Sequence, residues 1–276
     1  MMKLVVASCS PLVMMLGRMS VASLVFLIFW KRYGKIEYRR GDWKLLGFMA
    51  LCEPCLYFTF ESHALRCTSA SEAATITALL PLMTMVAARF TLGERISLKA
   101  LVGLGLAVSG VAGLTAFSRT SDAAPCPLLG NTLELVAMLC ATGYTISSRY
   151  LSTRYSAFFL TAVQAFVGSV FFLPAVLVTG SQVSVVWTWP TVLAIIYLGA
   201  LVNVLAYFLY NYGLSRIPAS QASPYVNLIP VFSMLLAWLI LDEQLTSPQY
   251  LSVTLLLAGT FAGRNTAAQY RVLDVS

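Results

Sequence analysis

The sequence predicts an all-α integral membrane protein, with about nine transmembrane helices in two inverted repeats of four and five. Three observations carry that expectation. Hydrophobic residues make up 59% of the 276 positions and charged residues only 11%, with a mean hydropathy of +0.80. Soluble domains carry roughly a quarter charged residues, so a chain this apolar needs a bilayer for solvent. The apolar residues come in runs of the length a helix needs to cross a hydrocarbon core, about 17–25 residues. The basic residues cluster in alternate gaps between the runs, the distribution expected of loops on one side of a membrane.

The runs, in order, are Pro11–Trp30, Trp43–Phe60, Ser71–Leu92, Leu98–Phe117, Leu128–Ser148, Ser156–Val178, Pro190–Tyr212, Ala219–Leu241 and Tyr250–Gly263. Helices satisfy every backbone polar group internally, and runs this uniformly apolar do not alternate as barrel strands do. The gap after the first run reads KRYGKIEYRRGDWK, with six basic residues in fourteen, and is expected in the cytoplasm. Arg95 and Lys99, Arg149 and Arg154, Arg216, and Arg264 with Arg271 fall on the same side. The opposite gaps hold Glu61, His63 and Arg66, then Arg119 and Asp122, then Asp242 and Glu243. Nine spans then place the C-terminus inside and the N-terminus outside. The net charge of +7 follows from these loops and gives no reason to expect nucleic acid as a partner.

The two halves resemble each other. Setting Pro81 on Pro230 fixes an offset of 149 residues, and without gaps 12 of the 47 positions from Ala64 to Gly110 are then identical. Among them are Ala70, Ser71, Glu94 and Gly110, which fall on Ala219, Ser220, Glu243 and Gly259. The paired segments lie five helices apart, an odd number, so they run in opposite directions. Inverted repeats are an architecture of secondary transporters, with the substrate near the midplane where the halves meet. The expected layout is a first repeat at 1–117, a linker at 118–127, a second repeat at 128–263 and a cytoplasmic tail at 264–276.

The stretches TSASEAATITALLP and IPASQASPYVNLIP, each followed by an apolar run and then L-G-E or L-D-E, resemble the EamA-type branch of the drug/metabolite transporter superfamily. GNTLELVAMLCATGYTISSRYLS is similar to the helix that opens the second repeat in that family. The resemblance implies a ten-helix carrier of the cell inner membrane with both termini cytoplasmic. PLVMMLGRMSVASLVFLIFW resembles the family's second helix, so the first is expected to be missing or truncated here.

LCEPCLYFTF at 51–60 carries the clearest chemical signal. Cys52 and Cys55 lie mid-span without the strand-to-helix context of a redox pair, and the sole histidine, His63, offers little to a metal. They are expected to pack as small apolar residues. Glu53 differs, because a mid-bilayer carboxylate is costly unless paired, neutralised or wet. It is either a proton-exchanging group or a structural acid, with Arg18 as the obvious ion-pair partner. Arg18 favours ligands bearing a carboxylate. Pro54 removes a donor and bends the helix, leaving a carbonyl free for a ligand or water.

Further polar groups are expected along the same cavity: Tyr57, Glu61 and Glu72 in the first repeat, and Asn203, Tyr207, Asn211, Tyr225 and Asn227 in the second. Each is a candidate for substrate binding or coupling, and each has an interhelical contact as its alternative. Tyr144, Gln164 and Trp238 are weaker candidates, and Glu134 is placed near an outer helix end, within reach of water. Pro81 and Pro230 are expected to act as hinges beside Pro54, and Glu94 and Glu243 as caps or gate residues.

The tract GLGLAVSG at 103–110 follows no strand and lacks the spacing of a dinucleotide loop, and the chain carries no Walker motif. No cofactor or metal is expected. The reading is a secondary transporter, an exporter of small amino-acid-like metabolites working by alternating access, with protons as a coupling ion. Alternatives are a truncated, inactive or assembly-dependent paralogue, and a membrane-embedded enzyme. For the last, the single histidine and scattered acids supply no nucleophile or metal cluster.

Overall fold

The computed structural model describes residues 11–33, 38–91, 98–117, 124–179, 188–217, 219–222, 226, 228–241 and 245–262. Helices account for nearly all of them: α1 Pro11–Ile28, α2 Asp42–Ala50, α3 Tyr57–Cys67, α4 Ala70–Thr77, α5 Leu80–Thr91, α6 Leu98–Ala116 and α7 Pro127–Leu151. The rest are α8 Ala157–Thr179, α9 Trp189–Tyr197, α10 Tyr207–Arg216, α11 Ala219–Ala222, α12 Leu228–Leu241 and α13 Ser247–Ala262. Several follow one another as single columns. Four stretches of the described residues are long and apolar enough to cross a membrane by length and composition: Pro11–Ile28, Ala70–Thr91, Ala157–Val178 and Trp189–Arg216. The polar groups on α2, α3 and α7 lower their hydropathy, and several of them, among them Asp42, Ser62, Asn131 and Glu134, are buried.

Two columns are interrupted at matching places. Between α2 and α3, the segment Leu51–Leu56 is a widened π-type turn in which Glu53 leaves helical geometry (φ −148°, ψ 118°), with a cis bond to Pro54. Proline cannot donate to the previous turn, so the ladder opens here. Between α9 and α10, Leu198–Ala206 is likewise π-type, although it holds no proline. π-type turns are frequent at functional sites. The 149-residue offset places 51–56 on 200–205, inside this second segment.

The helix through Glu53 runs on to Cys67, beyond the Phe60 end expected from hydropathy. Glu61, His63 and Arg66 are therefore helical, because a charge stops an apolar run without stopping the backbone ladder. Pro81 sits in the first turn of α5, where its missing N–H costs nothing. The chain turns immediately before it, at Ala78 and Leu79, whose N–H groups donate to Thr75 and Ile76 carbonyls at 3.1 and 3.0 Å.

Helices α6 and α13 pack closely along their lengths. A methyl group built on Gly110 would lie 2.6 Å from the backbone nitrogen of Leu256. One built on Gly259 would lie 2.6 Å from the backbone nitrogen of Ala107. Small residues let helix backbones approach in lipid, where van der Waals packing drives association.

Helix α7 runs antiparallel to the α2–α3 column, and two glycines set its register. Gly130 lies against Ala64 and Thr68, and Gly143 lies against the Cys52 sulfur and the Phe48 ring. Cys52 is thus a packing residue, like buried Cys55. Residue 134 falls level with residue 61. Meanwhile α1 packs against α8 and against the π-type segment before α10. Lipid-length apolar side chains such as Leu24, Leu177 and Leu251 remain exposed on the outside.

Candidate functional site

The buried centre of the bundle is polar, and both halves of the chain contribute to it. Arg18, on α1, is only 2% exposed. Its Nη2 donates to Oδ1 of Asn203 at 2.5 Å, and its guanidinium lies 4.1 Å from the centre of the Phe58 ring. A guanidinium stacked on a ring inside a dry site gains from the ring's quadrupole. The expected Glu53–Arg18 ion pair does not form. Tyr207 takes Glu53 instead, its hydroxyl donating to Oε1. The reason is geometric: the break at Glu53 and Pro54 turns that carboxyl toward α10, while Arg18 lies one helical turn further along, over Phe58.

Gln164 on α8 donates to the Glu53 carbonyl oxygen at 3.1 Å. Asn211 joins three helices: its Nδ2 donates to Thr161 Oγ1 at 3.0 Å and to Gln164 Oε1 at 3.2 Å. Its Oδ1 accepts from Tyr144 at 2.8 Å and from Ser148 at 2.5 Å. Every member of such a chain needs its partners, since an unpaired polar group in a low-dielectric interior is costly. Met19, Pro54, Phe58, Gln164, Asn203 and Tyr207 line a narrow gap, with about enough room for one water.

A polar column leads away from it along α3. Tyr57 and Glu61 are spaced at i and i+4 on α3, so they share one side of the helix. Tyr57 donates to Glu61 Oε1 at 2.9 Å. Glu134, expected near water, is only 1% exposed. The register of α7 against α3 explains its burial, because residue 134 faces Glu61 across the helix interface.

Three buried side-chain atoms lack a partner among the described residues: Arg18 Nε, Glu134 Oε2 and Thr84 Oγ1. The first two carry opposite charge preferences and both adjoin Glu61.

Glu72 stands apart from this centre. Its Oε2 accepts from Asn131 at 2.9 Å and from Thr68 at 3.2 Å, and its Oε1 accepts from Gln249 at 2.9 Å. That cluster ties the starts of α4, α7 and α13 together at the Cys67 end of the bundle, where Cys126 also donates to the Cys67 carbonyl at 3.0 Å. At the other end, Asp42 accepts from Tyr155 at 2.8 Å and from Arg154 at 3.0 Å. Burial opposes the Asp42 charge, but the Tyr155 hydroxyl, the Arg39 N–H and Arg154 outweigh it and hold this carboxyl below its ordinary range.

Tyr225, Asn227, Glu94 and Glu243 lie outside the described residues, and Pro230 falls within α12. Trp238 is 54% exposed on the same helix. Thr161, Ser148, Asn131 and Gln249 were not read from the sequence. Their signal was available as i, i+3 and i, i+4 polar spacing, in Thr161 with Gln164, Tyr144 with Ser148, and Asn203 with Tyr207 and Asn211. Small hydroxyls are common in membrane helices as bonds to their own preceding turn, which hides the few that reach across.

A helical bundle with an apolar exterior and a buried polar centre defines a multi-pass membrane protein. The model of the EamA-like transporter family matches residues 1–116 and 128–262, and the chain belongs to that family. It is 29% identical to the uncharacterized transporter YetK of Bacillus subtilis over 72% of this chain and 61% of that protein. It is 32% identical to YcxC of the same organism over 71% of this chain and 65% of that one. These matches span less than two thirds of either relative. A protein of Escherichia coli named as a probable amino-acid metabolite efflux pump is 28% identical over 64% of this chain and 62% of its own length. One crystal structure superposes with a TM-score of 0.65 at 20% identity, covering 93% of this chain and 89% of that one. It shares the fold.

Proposed function

We propose that this chain exports small amino-acid-like metabolites across the cell inner membrane by alternating access between two inverted repeats. Its C-terminus lies in the cytoplasm and the N-terminus of this chain outside. The observation that carries the reading is the buried polar centre, where bonds cross from one half of the chain to the other. Glu53 meets Tyr207 and Arg18 meets Asn203. A substrate bound among them touches both halves at once, which is what a rocking carrier requires.

The repeat layout is supported by the matched interruptions at 51–56 and 198–206. It is supported again by the reciprocal contacts of Gly110 and Gly259, which the same offset exchanges. The break at Pro54 serves as the hinge of one half, with Pro81 and Pro230 beside the small-residue helix starts as further hinges. Glu94 and Glu243 belong to the gates. Glu53 is the proton-coupling group, because it is a buried carboxyl held by one displaceable hydroxyl. The name of the E. coli relative favours amino-acid-like cargo and outward movement.

The test is flux into proteoliposomes holding the purified chain, with labelled amino acids and an imposed pH gradient. Flux above empty liposomes that follows the gradient is expected. Flux that ignores the gradient removes the proton, and transport of only unrelated metabolites removes the substrate class.

A further inference from the structure

The two orphaned polar atoms beside Glu61 differ from the rest of the centre. Arg18 Nε is a donor without an acceptor, and Glu134 Oε2 is a carboxyl oxygen without a donor. Their residues are 2% and 1% exposed. Leaving such groups unpaired in a membrane interior costs free energy, and the rest of the centre avoids that cost by pairing.

Glu61 links them in space. Arg18 stacks on Phe58, three residues before Glu61 on α3. Glu134 faces Glu61 from α7, as the contacts of Gly130 and Gly143 fix by register. Glu61 is an electrostatic neighbour of both, and its Oε1 is steadied by Tyr57. Glu53 is already engaged by Tyr207. The cluster therefore presents a cationic donor on one side and two carboxyls on the other.

We infer that Glu134 and Glu61 form an ammonium-binding subsite, and that Arg18 Nε anchors a carboxylate of the same ligand, so that the site selects a zwitterion bearing both groups a few bonds apart. The inference rests on the transport reading above and deepens it by dividing the site into two halves. A neutral metabolite offers either orphaned atom only an uncharged hydrogen bond, and a simple amine or a simple acid answers the charge of one with the stronger, charge-assisted kind. A zwitterion brings each the opposite charge without importing net charge.

Binding to the purified full chain tests this, with the L-amino acids as probes and then the N-acetyl and methyl-ester derivatives of the one bound best. Wild type is expected to bind each derivative about tenfold or more weaker than the parent, the loss expected for one charged hydrogen bond. Glu134→Gln is expected to weaken the parent about tenfold and leave the N-acetyl derivative unchanged. Arg18→Gln is expected to weaken the parent and spare the methyl ester. Equal loss for parent and N-acetyl forms in Glu134→Gln overturns the subsite, as does wild-type affinity that ignores acetylation. The wild-type comparison decides even where a variant fails to fold. Amino-acid binding without flux leaves the subsite standing and ends the transport reading. Flux of another metabolite class with no amino-acid binding does the reverse.

Discussion

The hydroxyl of Tyr207 donates to Oε1 of Glu53, joining the break in the α2–α3 column to the first residue of α10. These two residues come from opposite halves of the chain, 154 positions apart. In the proposed cycle, separation of the halves releases a carboxyl held by one hydroxyl and frees it to exchange a proton. Glu53→Gln keeps the shape and the Tyr207 contact but cannot change charge. The expected outcome is flux that no longer follows an imposed pH gradient, while counterflow exchange of substrate persists. Gradient-driven flux at the wild-type rate would assign Glu53 to packing alone.

Arg18 offers a different separation of stability from function. A buried cation without an ion-pair partner carries a desolvation cost that an apolar residue of similar reach removes. Arg18→Met keeps the stem packed over Phe58 and leaves Asn203 short of one bond, worth about 0.6 kcal/mol in a membrane protein. Melting of the purified variant is expected within a few degrees of wild type, with uptake lost. A large fall in melting would instead make Arg18 a structural cation.

At the α6–α13 contact, even one methyl has no room. Gly110→Ala and Gly259→Ala each set a carbon 2.6 Å from a backbone nitrogen of the partner helix. Overpacking of this kind costs about 1–3 kcal/mol. Gly105 on the same helix has nothing within 4 Å of a built methyl, so Gly105→Ala is the control and is expected to be neutral or slightly stabilising. Thermal melting of the three variants checks the contact, and matched losses at Gly110 and Gly259 would fit the proposed relation between the repeats.

Asp42 gives a pH dependence with a definite sign. Its carboxyl is held below the ordinary range by Tyr155, Arg39 and Arg154 against the effect of burial. A depressed carboxyl stabilises the fold above its unfolded value, about 3.9, and that contribution fades as pH falls through the lower folded value. Asp42→Asn is expected to melt a few degrees lower at neutral pH. Wild type and variant should converge under acid, and a gap that persists there would place the effect outside this carboxyl.

Much of this molecule was legible along the chain. The helical runs, the positions of Glu53, Arg18, Tyr207 and Asn211, and the repeated Pro and Gly all follow from hydropathy and spacing, because a bilayer leaves the backbone few choices. Partnership was not legible in the same way. Glu53 and Arg18 look like an ion pair because they are the strongest opposite charges in neighbouring runs. The extended backbone at Glu53 sends its carboxyl elsewhere. Glu134 looks wet because it lies seven residues into its helix, but burial depends on what faces it, and α3 faces it.

The division has a physical cause. Hydropathy and residue spacing are local properties, so the sequence by itself determined a helical membrane protein, its internal repeat and the list of polar residues it must shelter. Which of those residues meet depends on the rotation and register of each helix against its neighbours. Those are set by close contacts far apart in the chain: Gly130 on Thr68, Gly143 on Cys52 and Gly110 on Leu256. Only the packed structure decided that Glu72 ties helix ends together, that Tyr207 holds Glu53, and that Glu134 and Arg18 are each left with an atom to satisfy.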